Sequence, residues 1–224
     1  MAIAFVSASS TSPSLGGASN TWTGLTLAVG QRCLLVINKS NTETISSVVD
    51  NGGNAWTQLG TDLVDAGAGE RWSTWEGVIT TAATSITTTY SAASTTLSPR
   101  FFMKQHTGVN QSIAGQMVQQ RQAAPTTATD AMTSGTLTPA AQPGLLSGFG
   151  VVSFNAGCTV SAGFADRGEN AVGNKEHFED KAITSTAAVA ATFTALSNFA
   201  STTIAVYWQE AAAVVQNNSV MYIG

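Results

Sequence analysis

The sequence predicts an all-β protein: an antiparallel β-sandwich, jelly-roll-like, with little or no helix. Three observations carry that expectation. β-Branched and aromatic residues recur in short runs with a two-residue period. In Ser201-Thr202-Thr203-Ile204-Ala205-Val206-Tyr207-Trp208, for example, Ile204, Val206 and Trp208 share one face while Thr203, Ala205 and Tyr207 share the other. Turn-forming clusters separate the runs, among them Asp50-Asn51-Gly52-Gly53-Asn54, Gly67-Ala68-Gly69, Asn155-Ala156-Gly157 and Asp166-Arg167-Gly168-Glu169-Asn170. The result is about ten strands of roughly five to nine residues, the cadence of a sandwich or barrel. Helix-like composition is confined to 187–191 and 210–215, and neither segment carries a convincing cap.

Taken in order, residues 1–20 read as a Ser/Gly-rich arm whose apolar residues Ile3, Phe5 and Val6 reach a neighbouring subunit. Residues 29–37 read as a turn feeding a buried strand. In 45–57 a strand enters a hairpin: Asp50 hydrogen-bonds the turn backbone, Gly52 and Gly53 supply positive φ, Asn54 tolerates the same region and Trp56 returns to the core. Asp50, Asn51 and Asn54 also offer oxygens to calcium, but alternating acids and a bidentate carboxylate are missing, so the turn reading is preferred. On the strand Arg71-Trp72-Ser73-Thr74-Trp75-Glu76 the two tryptophans point to opposite faces. One is core; the other is a candidate for a subunit interface or for glycan stacking.

A Thr-rich strand over 86–90 and a strand over 101–109 close the first half. Residues 119–135 read as a surface loop near the middle of the chain and a candidate boundary. Beyond it, 136–152 and 201–208 are strands, and the charged segment Lys175-Glu176-His177-Phe178-Glu179-Asp180-Lys181 reads as a solvated edge strand. The tail, 211–224, ends in apolar Met221, Tyr222 and Ile223, a second candidate assembly arm. The expected organisation is therefore an arm (1–20), one sandwich domain (21–210) and a tail (211–224). Cys33 and Cys158 sit beside apolar runs and read as buried thiols, with their pairing open. One internal echo stands out. Gly24 to Leu35 lies over Gly135 to Leu146 without gaps, matching Gly, Gln and a Leu-Leu pair, and both coincidence and duplication explain it.

Composition narrows function. Only 10% of the 224 residues are charged, against about 25% in ordinary globular proteins, and formal net charge is −4. Nine Lys and Arg cannot build the basic stripe a nucleic acid requires. No apolar run approaches the length of a membrane helix, and residues 1–6 lack the basic start of a secretory signal. Only His106 and His177 are available for histidine chemistry. No Gly-x-Ser-x-Gly elbow appears, and Asp62, Asp65, Glu70 and Glu76 are the only neighbouring acids near a strand, so neither catalysis, a metal nor a cofactor is expected. A neutral surface rich in Ala, Thr, Ser and Gly suits a subunit packed against neighbours.

The order of pieces resembles a β-sandwich module of tailed-bacteriophage virion proteins, also found in some secreted bacterial proteins. The resemblance rests on the hairpin Asp50-Asn51-Gly52-Gly53-Asn54-Ala55-Trp56-Thr57, the aromatic strand with Trp72 and Trp75, and the strand ending in Gly108-Val109. It covers about residues 22–208, with an extra glycine in the hairpin and Gln105-His106-Thr107 in place of the usual tyrosine. It implies a non-enzymatic structural virion protein, a capsid decoration (cement) subunit on the outer surface of the head, made in the host cytoplasm. Its partners would be the major capsid protein and copies of itself, for which a trimer would suit, with no nucleic acid and no membrane. The alternative is a tail-fibre or adhesin module that binds cell-surface glycan.

Overall fold

A computed structural model of the chain describes residues 2–13, 17–65, 69–92, 98–122, 131–141, 143–152, 157–170, 176–196 and 200–212. Every regular element among them is a strand. The first eight are β1 (Ala4–Thr11), β2 (Ser19–Leu27), β3 (Arg32–Ser40), β4 (Ile45–Asp50), β5 (Ala55–Asp65), β6 (Glu70–Val78), β7 (Ala83–Tyr90) and β8 (Arg100–Thr107). The second eight are β9 (Gln116–Gln122), β10 (Ala131–Thr133), β11 (Gly144–Val152), β12 (Cys158–Val160), β13 (Ala165–Asn170), β14 (Glu176–Ile183), β15 (Thr192–Ala195) and β16 (Ser201–Gln209).

The strands form four antiparallel sheets. Two are five-stranded, β1-β8-β3-β6-β5 and β13-β14-β11-β16-β9; two are three-stranded, β2-β7-β4 and β10-β15-β12. Raising every strand number of the first pair of sheets by eight reproduces the second pair. The chain is thus one eight-stranded sandwich built twice, two units of one topology within the expected sandwich region 21–210. The Gly24/Gly135 echo is the sequence trace of this repeat: both glycines take positive φ, 76° and 79°, and Leu35 and Leu146 occupy the same register, facing Met103 and Tyr207. In an ideal jelly roll the fifth strand would complete the smaller sheet. Here β5 turns back along β6, so each unit is an unequal five-plus-three sandwich.

Three apolar layers hold the stack. Within the first unit, Cys33, Leu35, Ile37, Trp75, Ile86, Phe101 and Met103 fill the space between the large and small sheets. Leu146, Val152, Cys158, Ile183, Phe193 and Tyr207 do so in the second. The third layer lies between the units, where the two five-stranded sheets meet through Leu34, Val36, Trp72, Phe102, Phe149, Phe178, Ile204, Val206 and Trp208. β3 and β11 are consequently buried along their whole length on both faces, which is why the middle of β3, Cys33 to Ile37, and most of β11 read as apolar without alternation. β5 touches β9 and β1 touches β13, as a two-fold relation between the units requires.

Several expectations change. β1 is the edge strand of the first large sheet, paired with β8 from Ala4↔Thr107 to Thr11↔Phe101; the N-terminal segment bearing Ile3, Phe5 and Val6 is integral to the fold, not a free arm. Met221, Tyr222 and Ile223 lie outside the described residues. Residues 116–122 and 131–133, within and beside the expected loop, are strands, because β9 closes the second large sheet against β16. Residues 176–183 are no solvated edge. β14 runs between β13 and β11, and Glu176, His177, Glu179 and Asp180 are all buried. Cys33 and Cys158 lie in different cores and form no disulfide.

Candidate functional site

The scarce charge is turned inward. Among the described charged side chains only Asp166 and Lys181 are exposed. Most of the rest line the seam between the two large sheets, a placement that burial permits only when each charge is matched. Lys104 on β8 is fully buried; its Nζ donates to Ser147 Oγ at 3.1 Å, to the Glu179 carbonyl at 2.8 Å and to the Asp180 carboxylate. Burial pulls the Lys104 ammonium down to about 8 against the opposing pull of Asp180. Asp180 also meets His106 Nε2 at 3.1 Å and accepts from Arg167 Nε at 2.9 Å. Burial raises its carboxyl, yet the bonds from His106 and the charge of Lys104 prevail and hold it below its ordinary value. Burial lowers His106, against the opposing pull of its bond to Asp180. Beside them burial lifts the Glu179 carboxyl to about 8, with Oε1 accepting the Thr192 N–H at 3.0 Å.

Further matches cross the same seam. Arg100 lies over the Trp72 ring and donates to Asn38, Glu70 and, at 3.5 Å, Glu176 of the second unit. Arg121 of the second unit meets Asp65 of the first and Thr202 on its own sheet. Trp208 Nε1 donates to Glu76 Oε2 at 3.2 Å, and Arg32 lies 3.7 Å from the same oxygen. The acids that composition grouped near β5 and β6 are therefore partners of arginine, lysine and tryptophan. Ser147, Lys104, Asp180 and His106 contain the residue types of a nucleophile relay, but they are enclosed, and Nζ is committed to three acceptors.

The hairpin residues are knitted into one network. Asp50 Oδ1 accepts from Gly52 N at 2.9 Å and Asn54 N at 3.1 Å, and Oδ2 accepts from Trp56 Nε1 at 2.8 Å. Asn54 Oδ1 accepts from Thr80 N and Thr81 N, both at 2.8 Å, binding the β4–β5 turn to the β6–β7 turn. Gly53 takes φ 72°, and a Cβ on Gly52 would meet the Thr81 carbonyl at 2.9 Å. These oxygens face N–H donors, the opposite of what a cation needs. Trp72 and Trp75 do point to opposite faces, but neither faces solvent. Trp75 packs in the first sandwich and Trp72 in the seam against Phe102 and Phe149. The second unit covers the face that one unit alone would leave open, so the expectation of an outward tryptophan is corrected.

Among the described residues an open cleft of about 430 Å³ lies between β1 and β2 at the unsealed edge of the first sandwich. Ser7, Ser9, Trp22, Thr26, Gln31 and Gln105 line it, and none of its lining residues is charged. Nothing in composition marked it. The only sequence signal is hydroxyl residues at alternate inward positions of β1. With this geometry in view, comparison with known proteins adds nothing further. No family model, curated protein or solved structure matches the chain.

Proposed function

We propose that the chain is a non-enzymatic structural virion subunit, a decoration protein that stabilises a phage head by surface contact with the major capsid protein and with copies of itself. The observation that carries this reading is the inversion of charge: most ionic groups are buried and several tie the two units together, while among the described charged residues only Asp166 and Lys181 are exposed. The outward face of β2-β7-β4 presents Thr21, Thr23, Ser47, Val49, Ser85, Thr87 and Thr89 and no ionic group. Such a face pays little desolvation on contact and repels no copy of itself, so it suits close packing in a shell. The two-unit core supplies stiffness, because neither sandwich can move without breaking the seam.

The reading predicts association that is insensitive to ionic strength, since exposed charge pairs would otherwise be screened. The test is to identify the protein in purified particles by mass spectrometry and then locate it by cryo-electron microscopy. A stoichiometric shell component on the head surface is the expected result. Absence from particles, or presence only in the soluble fraction, overturns the proposal.

A further inference from the structure

We propose that the cleft between β1 and β2 binds a neutral saccharide unit, a property independent of the structural role above. The cleft exists because of a local difference between the two units. In the second unit the sandwich edge is sealed: Gln116 Oε1 accepts the Ala140 N–H at 2.8 Å, and Gln116 Nε2 reaches the Thr138 carbonyl. Gln116 pairs with Tyr207, which pairs with Leu146. The same register in the first unit runs from Leu35 through Met103 to Ser9. Serine stands where the seal stands, and it is too short to cross. Bulges in both bordering strands, at Phe5/Ser7 and at Thr23/Leu27, hold the gap open.

The chemistry of the lining selects the ligand. Gln105 is only 4% exposed, lines the cleft, and has no side-chain hydrogen bond among the described residues. The two donors and the carbonyl of its amide match the vicinal hydroxyls of a sugar. Gln31 is equally buried. Its Oε1 takes the Ala28 N–H at 2.8 Å, which leaves its NH₂ as donor. Ser7, Ser9 and Thr26 add hydroxyls, and Trp22 with Leu25 gives the apolar surface that a sugar's C–H face requires. The absence of charged lining residues argues against phosphates, carboxylates and amines. The volume falls within the roughly 300–1,000 Å³ of small-ligand sites.

The experiment titrates the full chain with neutral mono- and disaccharides, and with an anionic sugar, by ligand-observed NMR and calorimetry. Two variants accompany it: Gln105→Leu removes the amide, and Ser9→Gln installs the seal of the second unit. Thr159→Gln at an exposed position of β12 in the second unit is the control, and thermal melts establish that each variant is folded. The expected result is a neutral sugar bound with a dissociation constant of roughly 1 mM or tighter, weakened at least about tenfold in both cleft variants and unchanged in the control. No neutral sugar binding, binding of the anionic sugar alone, or binding retained in Ser9→Gln each overturns the proposal.

Discussion

Asp50 and Glu179 show how differently two acids are treated in one protein. Asp50 is surrounded by donors. Burial raises its carboxyl, but the bonds from Trp56, Asn54 and Gly52 outweigh burial and keep it ionised below the ordinary range. Asp50→Ala leaves the Trp56 and Asn54 donors without their acceptor, and we expect a loss of about 2 kcal/mol by chemical denaturation. Glu179 is the reverse case: burial lifts it from an ordinary 4.5 to about 8. A folded pKa above the unfolded one gives stability that is complete below pH 4.5 and disappears as pH rises through 8. The Glu179→Gln variant should therefore gain stability relative to the parent progressively between those limits, with Tm against pH as the readout. A constant difference across the window would contradict the assignment. The turn chemistry of Asp50 was legible from sequence because it is local. The state of Glu179 was not, since it depends on burial by elements distant in sequence, such as the strand that brings the Thr192 N–H to its Oε1.

At the level of the element, β6 carries the most consequence. Its tryptophans serve two different cores, and its Gly77 lies flat beneath Trp56, where a Cβ would meet the indole ring at 2.7 Å. The ring is rigid and anchored through Nε1 to Asp50, so Gly77→Ala should displace it and cost about 1–3 kcal/mol, with loss of the Trp56 near-ultraviolet signal. Opposite faces for Trp72 and Trp75 followed directly from strand periodicity. Which face meets water did not follow, because that depends on what packs outside the sheet. The same limit explains β14. A strand with four charges in six residues reads as exposed, and only the opposing Lys104, His106 and Arg100 make its burial intelligible. A stronger signal lay in β8, where Lys104 follows Phe101, Phe102 and Met103: a charge inside an apolar run marks a buried partner.

For the whole molecule, the defining relation is between two sandwiches of one topology and the layer they share. The all-β class was readable from composition and turn spacing. The repeat was nearly hidden, because only the strand order and a few positions such as Gly24/Gly135 and Leu35/Leu146 persist while the packing residues have diverged. The low charge content, first an argument about partners, becomes an account of architecture: ions hold the units together, and among the described residues few charges face out. That account requires the units to act as one. Neither large sheet has a polar outer face of its own, so separating them would expose Trp72, Phe102, Phe149 and Phe178 along with unmatched charges. Differential scanning calorimetry of the full chain tests this most directly. The account predicts one transition in which calorimetric and van't Hoff enthalpies agree, whereas two separable transitions, one per unit, would contradict it.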